Sequence, residues 1–229
     1  MIAKSFLSVL ASALAGCSFH QNSASSGGDP DAAAAGDAAG DASAAAADAP
    51  MPFPRTLHET NDDQVAPGAS ASCASGGHTL AQTWYRAFAL SDYAIARPFQ
   101  VTEVDVAVQS AASSAPIVVG VALYGGAIGG STIDLSRTTP VASAQVAPPS
   151  SGTIAVPISA AIPAGGALVV SVASPDMTGS SSFVVGSTIA GEARPGYFAA
   201  AACGASSPIT TAAAGAAGQI VIDVRGEVL

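Results

Sequence analysis

The chain has 229 residues, enough for one domain with tails, and a formal net charge of −9 at pH 7. Charged residues make up 10% of it, against roughly 25% in an average soluble protein, and much of the 49% hydrophobic content is alanine. Eight of the sixteen acids precede residue 67, and beyond that point the chain has five arginines, no lysine and no basic stretch, which argues against a nucleic-acid partner.

Residues 1–4 carry one positive charge, residues 5–14 are mostly apolar, and Ala15 and Gly16 follow before Cys17. That succession is the pattern of an export signal, expected over residues 1–16. A membrane-spanning helix needs about 20 apolar residues, and here Ser18, His20 and Gln21 interrupt the run. Leu14, Ala15, Gly16 and Cys17 resemble the lipobox of bacterial lipoproteins. The resemblance implies that Cys17 is alkylated by diacylglycerol and becomes the new N-terminus, and two or more acyl chains would give lasting membrane attachment. Ser18 stands where an aspartate would favour the inner membrane, so the outer membrane or cell surface is the expected location.

From residue 21 to about Pro67 the composition shifts to Ala, Asp, Gly and Pro. Gly36 and Gly40 interrupt any alanine helix, and no apolar stripe exists to offset the entropy of ordering. Residues 17–67 are therefore expected to form a lipid-anchored, disordered spacer. The stretch His58-Glu59-Thr60-Asn61-Asp62 superficially resembles a zinc-protease helix but lacks the second histidine.

After Pro67 short β-rich runs recur at regular spacing. In residues 99–110, Val104, Val106 and Val108 alternate with Glu103 and Asp105, as in a half-buried antiparallel strand. Residues 116–124 place Ile117, Val119, Val121 and Leu123 on one face, and residues 125–130 make a glycine-rich turn. Weaker runs follow at 141–146 and 152–159. Residues 162–173 read as a turn feeding a strand with Leu168, Val170 and Val172 inward. Residues 182–187, 196–200 and 218–226 complete the set, the last with Ile220, Ile222 and Val224 buried. Helical periodicity is absent. Eight or nine short strands separated by Gly, Pro and Ser predict an all-β fold, a jelly-roll-like antiparallel two-sheet β-sandwich over residues 68–229.

Cys73 and Cys203 are the other cysteines. In an oxidising compartment such a pair normally closes; the alternative is two free thiols. With His78 they fall short of a tetrahedral zinc set. Cys73, the strand residues Trp84, Tyr85, Arg86 and Phe88, then Val101, Thr102 and Val104, Leu123 and Tyr124, Pro163, Ala164 and Gly165 before Leu168, Val169 and Val170, and finally Gly186, Ser187, Gly191, Ala193, Pro195, Tyr197, Cys203 and Gly204 occur in an ordered series. The series resembles a β-sandwich domain of secreted and surface proteins of bacteria, sometimes found beside proteases. The resemblance spans nearly all of residues 73–226 and implies the fold and the disulfide, but no activity. The chain departs from it at residues 212–218, where Ala and Gly replace a Gly-Phe-Pro-like stretch with a histidine.

No nucleophile elbow, phosphate loop or dinucleotide fingerprint occurs, and His78 is alone in the sandwich region. No catalytic residue, metal site or cofactor is expected, and a hydrolase is the least favoured reading. Trp84, Arg86 and Phe88 share one strand face, with Arg86 expected to pair with Glu103 or Asp105. Tyr85, Tyr93 and Tyr197 are the candidate binding aromatics. The expected function is that of a noncatalytic surface lipoprotein, attached to the membrane through Cys17 and binding an envelope polysaccharide or protein. The alternative is a structural envelope lipoprotein with no dedicated ligand site.

Overall fold

The computed structural model describes residues 51–112 and 115–229; the export signal, Cys17 and the spacer up to residue 50 lie outside the described residues. The chain forms, in order, β1 (Phe53–Leu57), a small hairpin of β2 (Ala74–Ser75) and β3 (His78–Thr79), β4 (Gln82–Ala89), β5 (Phe99–Ala111) and β6 (Ile117–Tyr124). It continues through β7 (Thr138–Val146), β8 (Gly152–Ile162), β9 (Ala167–Ser174), β10 (Phe183–Val185) and β11 (Ser187–Thr188). Then come β12 (Tyr197–Ala200), β13 (Ala205–Thr210), β14 (Gln219–Ile220) and β15 (Ile222–Val228). Among the described residues there are three short 3-10 turns and no α-helix.

Sheet I has the order β1–β15–β5–β8, with β10 pairing the far end of β5; sheet II has the order β13–β12–β4–β9–β6–β7. All these pairings are antiparallel. The period-two alternation read from the sequence sets which face is buried. Val104, Val106 and Val108 of β5, Ile117, Val119 and Val121 of β6, Leu168, Val170 and Val172 of β9, and Ile222 and Val224 of β15 are each 1% exposed or less. They meet between the sheets in one core with Trp84, Phe88, Phe99 and Phe183. Each such side chain contributes about 1.5–3 kcal/mol by leaving water. Trp84 packs edge-on against Phe183, and its indole N–H donates to the Ala71 carbonyl at 3.1 Å.

The four lateral edges each carry one proline: Pro54 in β1, Pro157 in β8, Pro140 in β7 and Pro208 in β13. An edge strand can spare the N–H that proline lacks, whereas a central strand cannot. The pairing register shifts beside Pro140, Pro157 and Pro208. Proline and irregular register together make these edges poor templates for another strand. A further shift lies at Arg225/Gly226, where a Cβ on Gly226 would run into the Phe99 ring and the Gln100 carbonyl.

The folded body begins before Pro67, which corrects the expected end of the spacer. β1 pairs β15 from Phe53↔Val228 to Leu57↔Val224, and Leu57 is fully buried. The next residues stay attached: the Asn61 amide donates to the Gly191 carbonyl at 3.0 Å, and the Ala66 amide to that of Ser187 at 2.7 Å. β13 also went unread in the sequence. Both strands are short, contain proline and carry a ladder on one side only, so neither displays the alternation of a central strand.

Cys73 and Cys203 form a disulfide across 130 residues of chain, with Cα atoms 5.9 Å apart. The Cys73 amide donates to Gln82 Oε1 at 2.6 Å, and Gln82 Nε2 donates to the Phe183 carbonyl at 3.2 Å. This buried glutamine joins the disulfide arm to both sheets.

Trp84, Arg86 and Phe88 do share the inner face of β4, and all three are fully buried. The partner of Arg86 is Glu192, not Glu103 or Asp105. Nη1 donates to Glu192 Oε2 at 2.7 Å and to the Arg194 carbonyl at 2.7 Å, while Nη2 donates to the Ile220 carbonyl. The alternation explains the correction. Arg86 points between the sheets, whereas Glu103 and Asp105 alternate with inward valines and so face away from it. Their cation is Arg225 of the neighbouring strand.

Candidate functional site

The three candidate tyrosines occupy two distinct places. Tyr85 and Tyr197 are register partners on β4 and β12, on the outer face of sheet II. Tyr93 ends the 3-10 turn Leu90–Tyr93 beyond β4.

On the outer face of sheet II, the segment from residue 125 to 137 folds back between β6 and β7. It buries Ile133 and Tyr124 against Ala87, Val169 and Tyr197 in a second, smaller apolar cluster. Tyr197 is only 1% exposed, and its hydroxyl donates to the Gly130 carbonyl at 2.9 Å. It therefore serves as core beneath this loop and offers no platform to a ligand. Tyr85 beside it is half-buried and opens on a trough of about 330 Å³. Val118, Gly120, Leu135, Pro140 and Val169 line the trough with Tyr85, and Thr138, Ser143 and Ser171 supply hydroxyls. The depth depends on Gly120, since a Cβ there would stand 2.8 Å from Ser171 Oγ. Burial raises the Tyr85 phenol, which stays neutral near pH 7.

Tyr93 belongs to a polar recess of about 580 Å³ lined by His58, Glu59, Asn61, Asp92 and Arg194. Its oxygen lies 2.9 Å from Glu59 Oε1 and 2.8 Å from the His58 carbonyl, either of which accepts its proton. Burial raises the Glu59 carboxyl, opposed by the hydrogen bond from Tyr93 and by the charge of Arg86. Arg194 Nε donates to Asp92 Oδ2 at 2.6 Å across the rim. Tyr93 is thus an anchor for the segment after β1, with its hydroxyl already engaged.

A third recess, of about 540 Å³, opens on the outer face of sheet I and is lined by Thr56, His58, Asp63, Asp105, Thr153, Asp223 and Arg225. Asp105 and Asp223 stand opposite each other in the β5–β15 register. Arg225 Nε donates to Asp105 Oδ2 at 2.7 Å and Nη1 to Glu103 Oε1 at 3.2 Å. Asp223 is 7% exposed, Oδ1 has no hydrogen-bond partner, and its carboxyl is hydrogen-bonded to that of Asp63. Burial first, then the charges of Asp63 and Asp105, push the Asp223 carboxyl up to about 7. Burial also raises Asp105, opposed chiefly by Arg225. Asp223 therefore keeps its proton through the mildly acidic range.

Sequence reading missed this recess because His58 and Asp63 fall in the stretch assigned to the spacer. One signal was present: the Ala/Asp/Gly repeat stops before Phe53, and large apolar side chains return at Phe53 and Leu57. His78 lies in the β2–β3 hairpin, away from these recesses. Among the described residues, no group of three or more His, Cys, Asp or Glu side chains is placed to hold a metal ion.

No family model and no curated protein matches this chain. Among solved structures it is similar to the cysteine protease and lectin-like domains of Cwp84, a surface layer associated protein of Clostridium difficile. That likeness has 16% identity and a TM-score of 0.43 over 66% of this chain and 33% of the other. It is also similar to the structure of infectious bursal disease virus Gx strain, with 11% identity and a TM-score of 0.22 over 78% of this chain and 36% of that one. The chain thus spans about a third of the length of either match. Neither likeness assigns a site residue or a ligand.

Proposed function

We propose that this protein is a noncatalytic surface module, lipid-anchored to a bacterial envelope through Cys17, whose sandwich binds a polysaccharide on the outer face of sheet II. The observation that carries the reading is the half-buried Tyr85 ring at the glycine-floored trough. A pyranose presents an apolar C–H face to an aromatic ring and its hydroxyls to the rim. The trough offers the matching chemistry, an apolar floor with a few hydroxyls beside it. Attachment through Cys17 rests on the lipobox sequence.

One observation favours the structural alternative. The outward row of β8, formed by Thr153, Ala155, Pro157, Ser159 and Ala161, is exposed and made of small side chains with no platform among them. A glycan array probed with the full chain carrying Cys17→Ser separates the two readings. Specific glycan binding that is lost in Tyr85→Ala supports the module. A reproducible blank, or binding indifferent to Tyr85→Ala, rejects the trough and leaves the structural role. Incorporation of labelled palmitate into the native chain and its loss in Cys17→Ser tests the anchor.

A further inference from the structure

We propose that the carboxylate recess on the outer face of sheet I binds an organic ammonium group at Asp63 and the buried, unpartnered Oδ1 of Asp223. The recess stands on different residues and a different sheet from the Tyr85 trough, so the proposal does not depend on the polysaccharide reading.

Charge in the recess is unbalanced. β5 contributes Asp105, β15 contributes Asp223 and Arg225, and the segment after β1 contributes His58 and Asp63, while Glu103 of β5 holds Arg225 from outside the lining. β8 adds only the neutral Thr153 on this lining. Arg225 is committed to Glu103 and Asp105, and Arg86 is held by Glu192. Asp63 and Asp223 line the recess together, and among the described residues neither has an ion-pair partner. A buried carboxylate needs either a proton or a paired cation, because removing an unpaired charge from water costs several kcal/mol. Asp223 is nine-tenths buried and lines the recess, yet its Oδ1 has no donor. The site therefore lacks an N–H donor that also carries positive charge.

An ammonium ion supplies both, with three donors around one charge. The recess already shows this chemistry, since Asp105 is neutralised by the N–H of a cationic side chain at 2.7 Å. A metal ion fits less well, because among the described residues no three ligating side chains are grouped for one. Thr56 and Thr153 provide neutral polar groups on the wall, and about 540 Å³ admits a small organic cation.

The exchange balances simply. The ammonium enters with its charge, Asp223 gives up its carboxyl proton to solvent, and no other bond changes. Because Asp223 titrates at about 7, it is about one-tenth ionised at pH 6 and nine-tenths at pH 8. Affinity for a cation that stays protonated should then rise about tenfold over that interval.

The test uses the isotope-labelled full chain with Cys17→Ser, followed by amide chemical shifts and calorimetry. The probes are 1,5-diaminopentane, D-glucosamine, N-acetylglucosamine and calcium chloride, and the diamine serves for the pH comparison. Saturable shifts centred on residues 63, 105, 153 and 223 with either amine support the proposal, and the stronger amine identifies an alkyl or an amino-sugar source. N-acetylglucosamine should produce none. Binding of the diamine should strengthen about tenfold from pH 6 to 8, release a proton at pH 6, and disappear in Asp223→Asn and in the exposed-site variant Asp63→Asn. No saturable shift with either amine, an equal response to N-acetylglucosamine, saturation by calcium alone, or binding unchanged in both variants would overturn it. Failure of the trough reading would register instead at β4, β6 and β9 in a glycan titration.

Discussion

Asp105 and Asp223 face each other directly across the β5–β15 ladder, two like charges on the outer face of sheet I with Asp63 folded over them. Such a pair destabilises a sheet unless one member is neutralised. Arg225 pairs with Asp105, and a proton on Asp223 provides for the other.

The stability of the protein should carry the mark of that proton. Asp223 titrates near 3.8 in the unfolded chain and at about 7 in the fold, so between those values the folded state holds more protons. Stability from this group is complete below the lower value, falls as pH rises through the interval, and is flat above it. The loss amounts to roughly 2–4 kcal/mol. Asp223→Asn should abolish this dependence and be more stable than the native protein at pH 8. Urea unfolding of both proteins at pH 5 and pH 8 measures it. A difference between them that does not grow with pH contradicts the assignment.

Arg86 is a fully buried cation whose hydrogen bonds bring together β4, the segment around Glu192 and the approach to β15. Arg86→Ala leaves Glu192 and two carbonyls without their donor and should cost about 3–5 kcal/mol. Glu192→Gln should cost less, because the Glu192 side chain is 20% exposed and its amide replacement still accepts a hydrogen bond. Chemical denaturation should rank the variants in that order; an Arg86→Ala protein as stable as the native one refutes the role.

β1 covers one edge of sheet I and buries Leu57. A chain beginning at residue 68 loses that strand, Asp63 and the contacts of Asn61 and Ala66. It should melt well below a chain beginning at residue 51 and expose apolar surface to a hydrophobic dye. Equal melting temperatures would restore residues 53–67 to the spacer.

The Cys73–Cys203 bridge closes a loop of 130 residues. Replacing both cysteines by serine should destabilise the sandwich by about 2–4 kcal/mol. Reduction of the native protein should shift its denaturation midpoint in the same direction. No shift on reduction would show that the bridge adds nothing to the fold.

Much of the sandwich was legible in the sequence, because valines and isoleucines at alternate positions in β5, β6, β9 and β15 can be buried together only in extended chain between two sheets. The same alternation put Arg86 with Trp84 and Phe88. What it could not give was the partner across the core: Glu192 lies 106 residues further along, and no local pattern encodes that distance. Edge strands with proline, β1 and β13, were illegible for a related reason, since half their hydrogen bonds and much of their burial come from neighbours chosen by the fold. Tyr85 and Tyr197 were alike as candidate binding aromatics in the sequence, and only the loop over residues 125–137 made one core and left the other open. Local periodicity thus determined the strands and their inward faces. The meeting of Asp63, Asp105 and Asp223 was decided by tertiary register, because juxtaposed charges depend on which strands become neighbours and not on their order in the chain.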